Sequence, residues 1–215
     1  MSIESTADLD GLREVARSAP ALEYGFRGTV LISVNDEIVH GIPGPRILAS
    51  GDLVSLDVTL EKGGYVADAA RSVVVGAGHA VAHRLVEAAR AAFEAGQAVV
   101  RAGTKVNAIG GAVRGLAGHG VGRKIHEEPS VPNHYDRWQR DVLTEGMVIT
   151  IEPMLSAGSA TPVQNADGWT LRTADRSLAA HFEHTIVITR GAPLVLTAAW
   201  RGTASDVLSL PSGVS

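Results

Sequence analysis

Leu53-Val-Ser-Leu-Asp-Val-Thr-Leu60, followed by Glu61-Lys-Gly-Gly64 and Tyr65-Val-Ala-Asp-Ala-Ala-Arg71, reads as a β-hairpin, two alternating apolar runs about a glycine pair. Symmetric closure puts Leu60 opposite Tyr65 and Asp57 directly opposite Asp68. Their side chains then share one face about 5 Å apart. Like charges placed so cost stability, and the arrangement makes sense mainly if a proton or a cation is shared between them.

Working outward, two further β-branched runs carry acids. In Met147-Val-Ile-Thr-Ile-Glu-Pro-Met154, Glu152 alternates against Ile151. In Ala180-His-Phe-Glu-His-Thr-Ile-Val-Ile-Thr189, the period of two sends His181, Glu183 and Thr185 to one face and Phe182, His184 and Ile186 to the other. A carboxylate inside such a run is expensive to bury unless it is paired or bound to metal. Asp57, Asp68, Glu152 and Glu183, with His119, form a candidate ligand set suited to hard or borderline divalent cations. Four carboxylates exceed what one divalent ion neutralises, which favours two. Any one of these acids, seen alone, reads more readily as a surface or salt-bridged residue than as a ligand.

The rest of the chain frames these strands. A helix is expected over 5–18, capped by Ser5 or Thr6 and stopped by Pro20, and a strand over 28–36. A longer helix is expected over 79–101 from Val81, Leu85, Ala89, Phe93 and Gln97, with Gly103 as its stop, and a weak one over 106–117. Trp169-Thr-Leu-Arg-Thr173 is a candidate extra strand. Helix followed by acid-bearing strands in each half suggests a duplicated α+β plan. The length of 215 residues suits one domain, 1–215. Net charge −4, aromatics at 4% and no long Lys/Arg run argue against nucleic acid as partner. No apolar run of about 18 residues spans a bilayer. The polar, acidic start does not resemble a secretory signal, and the cytoplasm is the default compartment. The absence of cysteine excludes disulfides, thiolate metal sites and a cysteine nucleophile.

Five ordered segments resemble the motifs of type I methionine aminopeptidases: Ser33-Val-Asn-Asp-Glu-Ile-Val-His-Gly-Ile-Pro43, Leu56-Asp-Val-Thr59, Gly118-His-Gly-Val-Gly-Arg-Lys-Ile-His-Glu-Glu-Pro129, Gly146-Met-Val-Ile-Thr-Ile-Glu-Pro-Met154 and Phe182-Glu-His-Thr-Ile-Val187. The resemblance runs from about residue 24 to 190. It implies the pita-bread fold, a pseudo-twofold α+β architecture in which helices cover a curved antiparallel sheet. It also implies removal of the initiator methionine from peptides or nascent polypeptides. It puts metal ligation on Asp57, Asp68, His119, Glu152 and Glu183, and two divalent ions (Mn, Co, Fe or Zn) as cofactors. It puts His40 and His126 beside the substrate, Glu152 as proton acceptor, and Trp169 on the wall of the pocket for the first side chain. A monomer is the default oligomeric expectation.

The chain also departs from the family pattern. It looks short at its start and again between Asp68 and His119, near Val113–Gly118. A common pocket cysteine is Leu31, and the usual Ser-Ala-Gln before the aromatic-Glu-His run reads Ala179-Ala-His181. Relatives of the same fold that cleave Xaa-Pro substrates, act on a specialised small substrate, or bind peptides without catalysis are the competing expectations.

Overall fold

The computed structural model describes residues 30–113 and 118–198. The expected helix at 5–18 and the last part of the expected helix at 106–117 lie outside the described residues. The first strands are β1 (Leu31–Val34), β2 (Glu37–Val39), β3 (Leu53–Lys62) and β4 (Tyr65–Val74). Two helices follow, α1 (Ala80–Val99) and α2 (Asn107–Ala112). The remaining strands are β5 (Gly118–Gly120), β6 (Glu127–Val131), β7 (Val148–Ile151), β8 (Met154–Ser156), β9 (Pro162–Gln164), β10 (Leu171–Thr173), β11 (Ala179–Val187) and β12 (Leu194–Val195).

One antiparallel sheet runs β1-β3-β4-β11-β7-β5-β6, with β8 and β12 also paired to β11. A small second sheet runs β2-β10-β9. The central strand β11 is buried along its length, apart from Phe182 and His184, which are half-buried. Strand β7 is buried on both faces. Such burial explains why these segments read as β-branched runs rather than as polar alternations.

The hairpin β3–β4 forms where expected, but its register differs. Lys62 faces Tyr65, so Asp57 lies opposite Ala70 and Asp68 opposite Thr59. The cause is the turn. Gly63 and Gly64 both adopt positive φ, 60° and 79°, which makes them the two central residues of a tight hairpin loop. Asp57 and Asp68 remain on one face because the shift is by a whole period of two. They are diagonal neighbours, not a facing pair.

Helix α1 covers the side of β11 that carries Phe182 and His184. Phe93 packs 5.4 Å from Phe182 and 5.2 Å from His184 between ring centroids. The buried stripe is Ala82, Ala89, Phe93 and Gly96, whereas Val81, expected on it, is 44% exposed. A row stepping strictly by four residues rotates away from the core because the helix repeats every 3.6. Close approach to the sheet needs Gly96, where a Cβ would meet Val113 Cγ2 at 2.7 Å and Ile151 Cγ2 at 3.2 Å. The helix ends at Val99, short of the expected 101, because Val100 turns extended and buries its side chain in the main core. Gly103, at φ 89°, lies in the turn beyond.

A second local difference concerns Glu152. The run 147–154 is not one strand: β7 stops at Ile151 and β8 begins at Met154. Pro153 has no N–H for a ladder, and the carbonyl of Glu152 is taken by Asn133 Nδ2 at 2.9 Å.

Candidate metal centre

Registers across the large sheet align the acids in adjacent rows. Strand pairing places Leu31 opposite Asp57, Asp57 opposite Ala70, and Ala70 opposite Glu183. Glu152 follows directly on the β7 residues that pair with β11. The neighbouring row begins Thr59–Asp68, and Asp68 meets Thr185 through hydrogen bonds: its N–H donates to Thr185 Oγ1 at 2.9 Å, and that hydroxyl donates to the Asp68 carbonyl at 2.8 Å. Thr185 lies opposite Thr150, whose Oγ1 accepts the His119 N–H at 3.1 Å. Short side chains at 59, 70, 150 and 185 leave room for the longer donors beside them.

All the sequence-predicted ligands are thereby brought together. Asp68, His119 and Glu183 offer donor atoms within 4.8 Å of one another, and so do Asp57, His181 and Glu183. His119 Nε2 lies 3.3 Å from Glu152 Oε1. The other ring nitrogen of His119 is 2.9 Å from the Gly120 carbonyl. That contact requires Nδ1 to carry the proton, so Nε2 presents its lone pair to the acids.

The electrostatics are severe. Asp57, Asp68, Glu152 and Glu183 are buried, and burial is the largest cause raising each carboxyl above its ordinary pKa. For Asp57, Glu152 and Glu183, repulsion from the other acids raises it further. For Asp68, hydrogen bonds from Thr59 Oγ1 and the Ala69 N–H oppose the rise. Asp57 Oδ1 and Glu183 Oε1 are buried oxygens without a hydrogen-bond partner. Clustered carboxylates with orphaned oxygens, plus one oriented imidazole, fit a divalent cation, whose charge would cancel the repulsion.

Of the residues expected beside the substrate, His126 and His40 lie near the acids. The His126 ring stands edge-on to His119 at 4.4 Å between centroids. Burial and then His119 hold the His126 pKa below the ordinary imidazole value, against the opposing pull of Asp68. His40 follows β2 in a left-handed conformation at φ 61°, which is strained for a non-glycine residue. Its carbonyl accepts Thr170 Oγ1 at 3.3 Å, and Trp169 is the preceding residue in the turn before β10. The small sheet therefore brings His40 and Trp169 to one edge. A separate cavity of about 520 Å³, lined by Ile38, Gly110, His134, Tyr135, Met154 and Ala160 among others, includes none of the candidate ligands.

One residue was not singled out as a site residue from the sequence. His181 is 1% exposed and sits on the Glu183 face of β11, where the strand alternation already put it. Burial, then the proximity of His40, pushes its pKa down to about 3, so the ring is neutral.

Residues 3–190 match the profile of metallopeptidase family M24. The chain belongs to that family. It is 42% identical to methionine aminopeptidase 2 of Bacillus subtilis over 90% of this chain and 86% of that one. Among solved structures, methionine aminopeptidase from Rickettsia prowazekii superposes with TM-score 0.83 at 30% identity, covering 92% of this chain and all of that one. Prolidase from Pyrococcus furiosus shares the fold, at TM-score 0.70 and 19% identity, with 66% of its own length matched. The pita-bread architecture expected from the motifs is that of this M24 member: a mixed α+β fold built on an antiparallel sheet. No helix among the described residues is long and apolar enough to cross a membrane.

Proposed function

We propose that this M24 member is a dinuclear metal-dependent aminopeptidase that removes methionine from the N-terminus of peptides and nascent polypeptides, acting in the cytoplasm. The observation that carries this reading is the meeting of four buried carboxylates and an oriented imidazole on one sheet face. Its support from relatives is 42% identity to a methionine aminopeptidase across most of both chains. Likeness to prolidase, at 19% identity, extends to the fold alone.

Asp57, Asp68, His119, Glu152 and Glu183 would hold two divalent cations of the Mn, Co, Fe or Zn class. Bound there, such cations supply a water nucleophile at neutral pH and Lewis acidity toward the scissile carbonyl. Glu152 takes the proton of the attacking water on its carboxylate and delivers it to the departing amine. His126, neutral near pH 7, donates a ring N–H to the carbonyl oxygen as negative charge develops there. His40 hydrogen-bonds near the scissile nitrogen. Leu31, in register with Asp57, and Trp169 at the edge of the small sheet enclose the first side chain.

The test is release of methionine from a Met-Ala-Ser peptide by metal-loaded protein, followed by mass spectrometry. Glu152→Gln is expected to slow release by about a hundredfold or more. Unchanged turnover in that variant removes Glu152 from its role. A dipeptide panel with varied first residue tests the side chain selected, and faster cleavage of any residue other than methionine overturns the specificity.

A further inference from the structure

The His181 imidazole is the most deeply buried histidine among the described residues, and neither ring nitrogen has a hydrogen-bond partner. Its backbone is held firmly. The His181 N–H donates to Ser72 Oγ at 2.8 Å, and Ser72 Oγ lies 2.9 Å from the His181 carbonyl and 2.7 Å from Ser55 Oγ. A ring so placed cannot turn to water, and buried polar atoms are ordinarily satisfied. The ring is aimed at acids. Nε2 stands 3.7 Å from Glu183 Oε2 and 3.8 Å from Glu152 Oε2.

Those separations are long for hydrogen bonds. They lie just beyond the spacing of two donors on one cation: ligands bonded at about 2.0–2.2 Å and set at tetrahedral or octahedral angles lie about 2.8–3.6 Å apart. Asp57, His181 and Glu183 converge with donor atoms inside 4.8 Å, as do Asp68, His119 and Glu183 on the other side of the shared Glu183.

We propose that His181 is a sixth side-chain ligand of the metal centre, completing with Asp57 and Glu183 one cation site while His119 completes the other with Asp68 and Glu183. This rests on the two-cation reading given above. The five-ligand set supplies nitrogen to one cation only. With His181 in place of the glutamine usual at this position, each cation has one imidazole donor. Nitrogen at both positions tightens the Asp57-side site and favours borderline cations such as Co²⁺ and Zn²⁺ over Mn²⁺ there.

The experiment is titration of the 215-residue protein with Co²⁺, read by calorimetry and by proton NMR of the paramagnetically shifted, exchangeable imidazole N–H signals. Wild-type protein is expected to bind two equivalents and show two such signals. His181→Gln, which keeps the backbone contacts to Ser72, is expected to show one signal and to bind the second equivalent at least about tenfold more weakly, with the first unchanged. His119→Gln should lose the other signal. Two strong equivalents with a single shifted imidazole in wild-type protein overturn the proposal, even if the variant fails to fold. Unchanged affinities and signals in His181→Gln do the same. Peptide cleavage with one imidazole signal leaves the aminopeptidase function standing without His181. Two signals without cleavage uphold the ligand and remove the function. Failure to bind Co²⁺ removes both.

Discussion

Thr185 clasps the backbone of Asp68, accepting its N–H at 2.9 Å and donating to its carbonyl at 2.8 Å. The hydroxyl is fully buried, so no water can replace it. Thr185→Val keeps the volume and leaves both Asp68 backbone groups unpaired, which should cost about 1–3 kcal/mol in urea unfolding. Metal affinity should fall as well, because the Asp68 carboxylate loses its anchor. Thr185→Ser should restore both. Equal stability of the valine variant would show that the clasp contributes nothing.

Burial combined with mutual repulsion makes the acid cluster a source of instability when no cation neutralises it. Glu183→Gln removes one charge from its centre. In chelator, this variant should melt higher than wild type, by about 2–4 °C for each kcal/mol of repulsion relieved. On adding Co²⁺ at a hundredfold its dissociation constant, wild type should gain about 2.7 kcal/mol, and the variant far less. A chelated variant that melts below wild type contradicts the repulsion argument.

The hairpin register depends on Gly63 and Gly64 at φ 60° and 79°. A Cβ at Gly63 meets nothing within 4 Å, so strain alone is at issue there. Gly63→Ala should cost about 1–2 kcal/mol, and Gly63→Asn, which tolerates this region, less than that. Denaturant midpoints for the pair of variants check the order.

Gly118 opens the strand that carries His119. A Cβ there would lie 2.6 Å from the Thr150 carbonyl oxygen, which is backbone and cannot move aside cheaply. Gly118→Ala should push β5 from β7, destabilise the fold by about 1–3 kcal/mol and weaken metal binding through displacement of His119. Calorimetric titration with Co²⁺ beside a thermal melt separates the two effects.

Much of the site was legible because strand alternation is local. The face shared by His181, Glu183 and Thr185, the hairpin around Gly63-Gly64 and the helix that became Ala80–Val99 all follow from periods of two or 3.6 within a few residues. The facing of Asp57 and Asp68 did not hold, since closure by a four-residue turn and by a two-residue glycine turn differ in register by two residues, a whole strand period. Glu152 was expected within a strand and instead follows one, where Pro153 interrupts pairing.

By itself, then, the chain's order of residues determined which side chains share a strand face, where the glycine turn must bend, and which five residues match the metal-binding motifs. Tertiary structure alone decided that β3, β4, β11, β7 and β5 lie side by side, so that residues from Asp57 to Glu183 meet in two adjacent rows. It also decided that His181 aims an unpartnered Nε2 at Glu183 and Glu152 in that meeting, and that Thr170, beside Trp169, bonds the His40 carbonyl at the edge of the small sheet. The physical reason is range: periodicity sets the face of each strand within a few residues, whereas strand order and lateral register come from packing between distant segments, Asp68 and Thr185 being 117 residues apart.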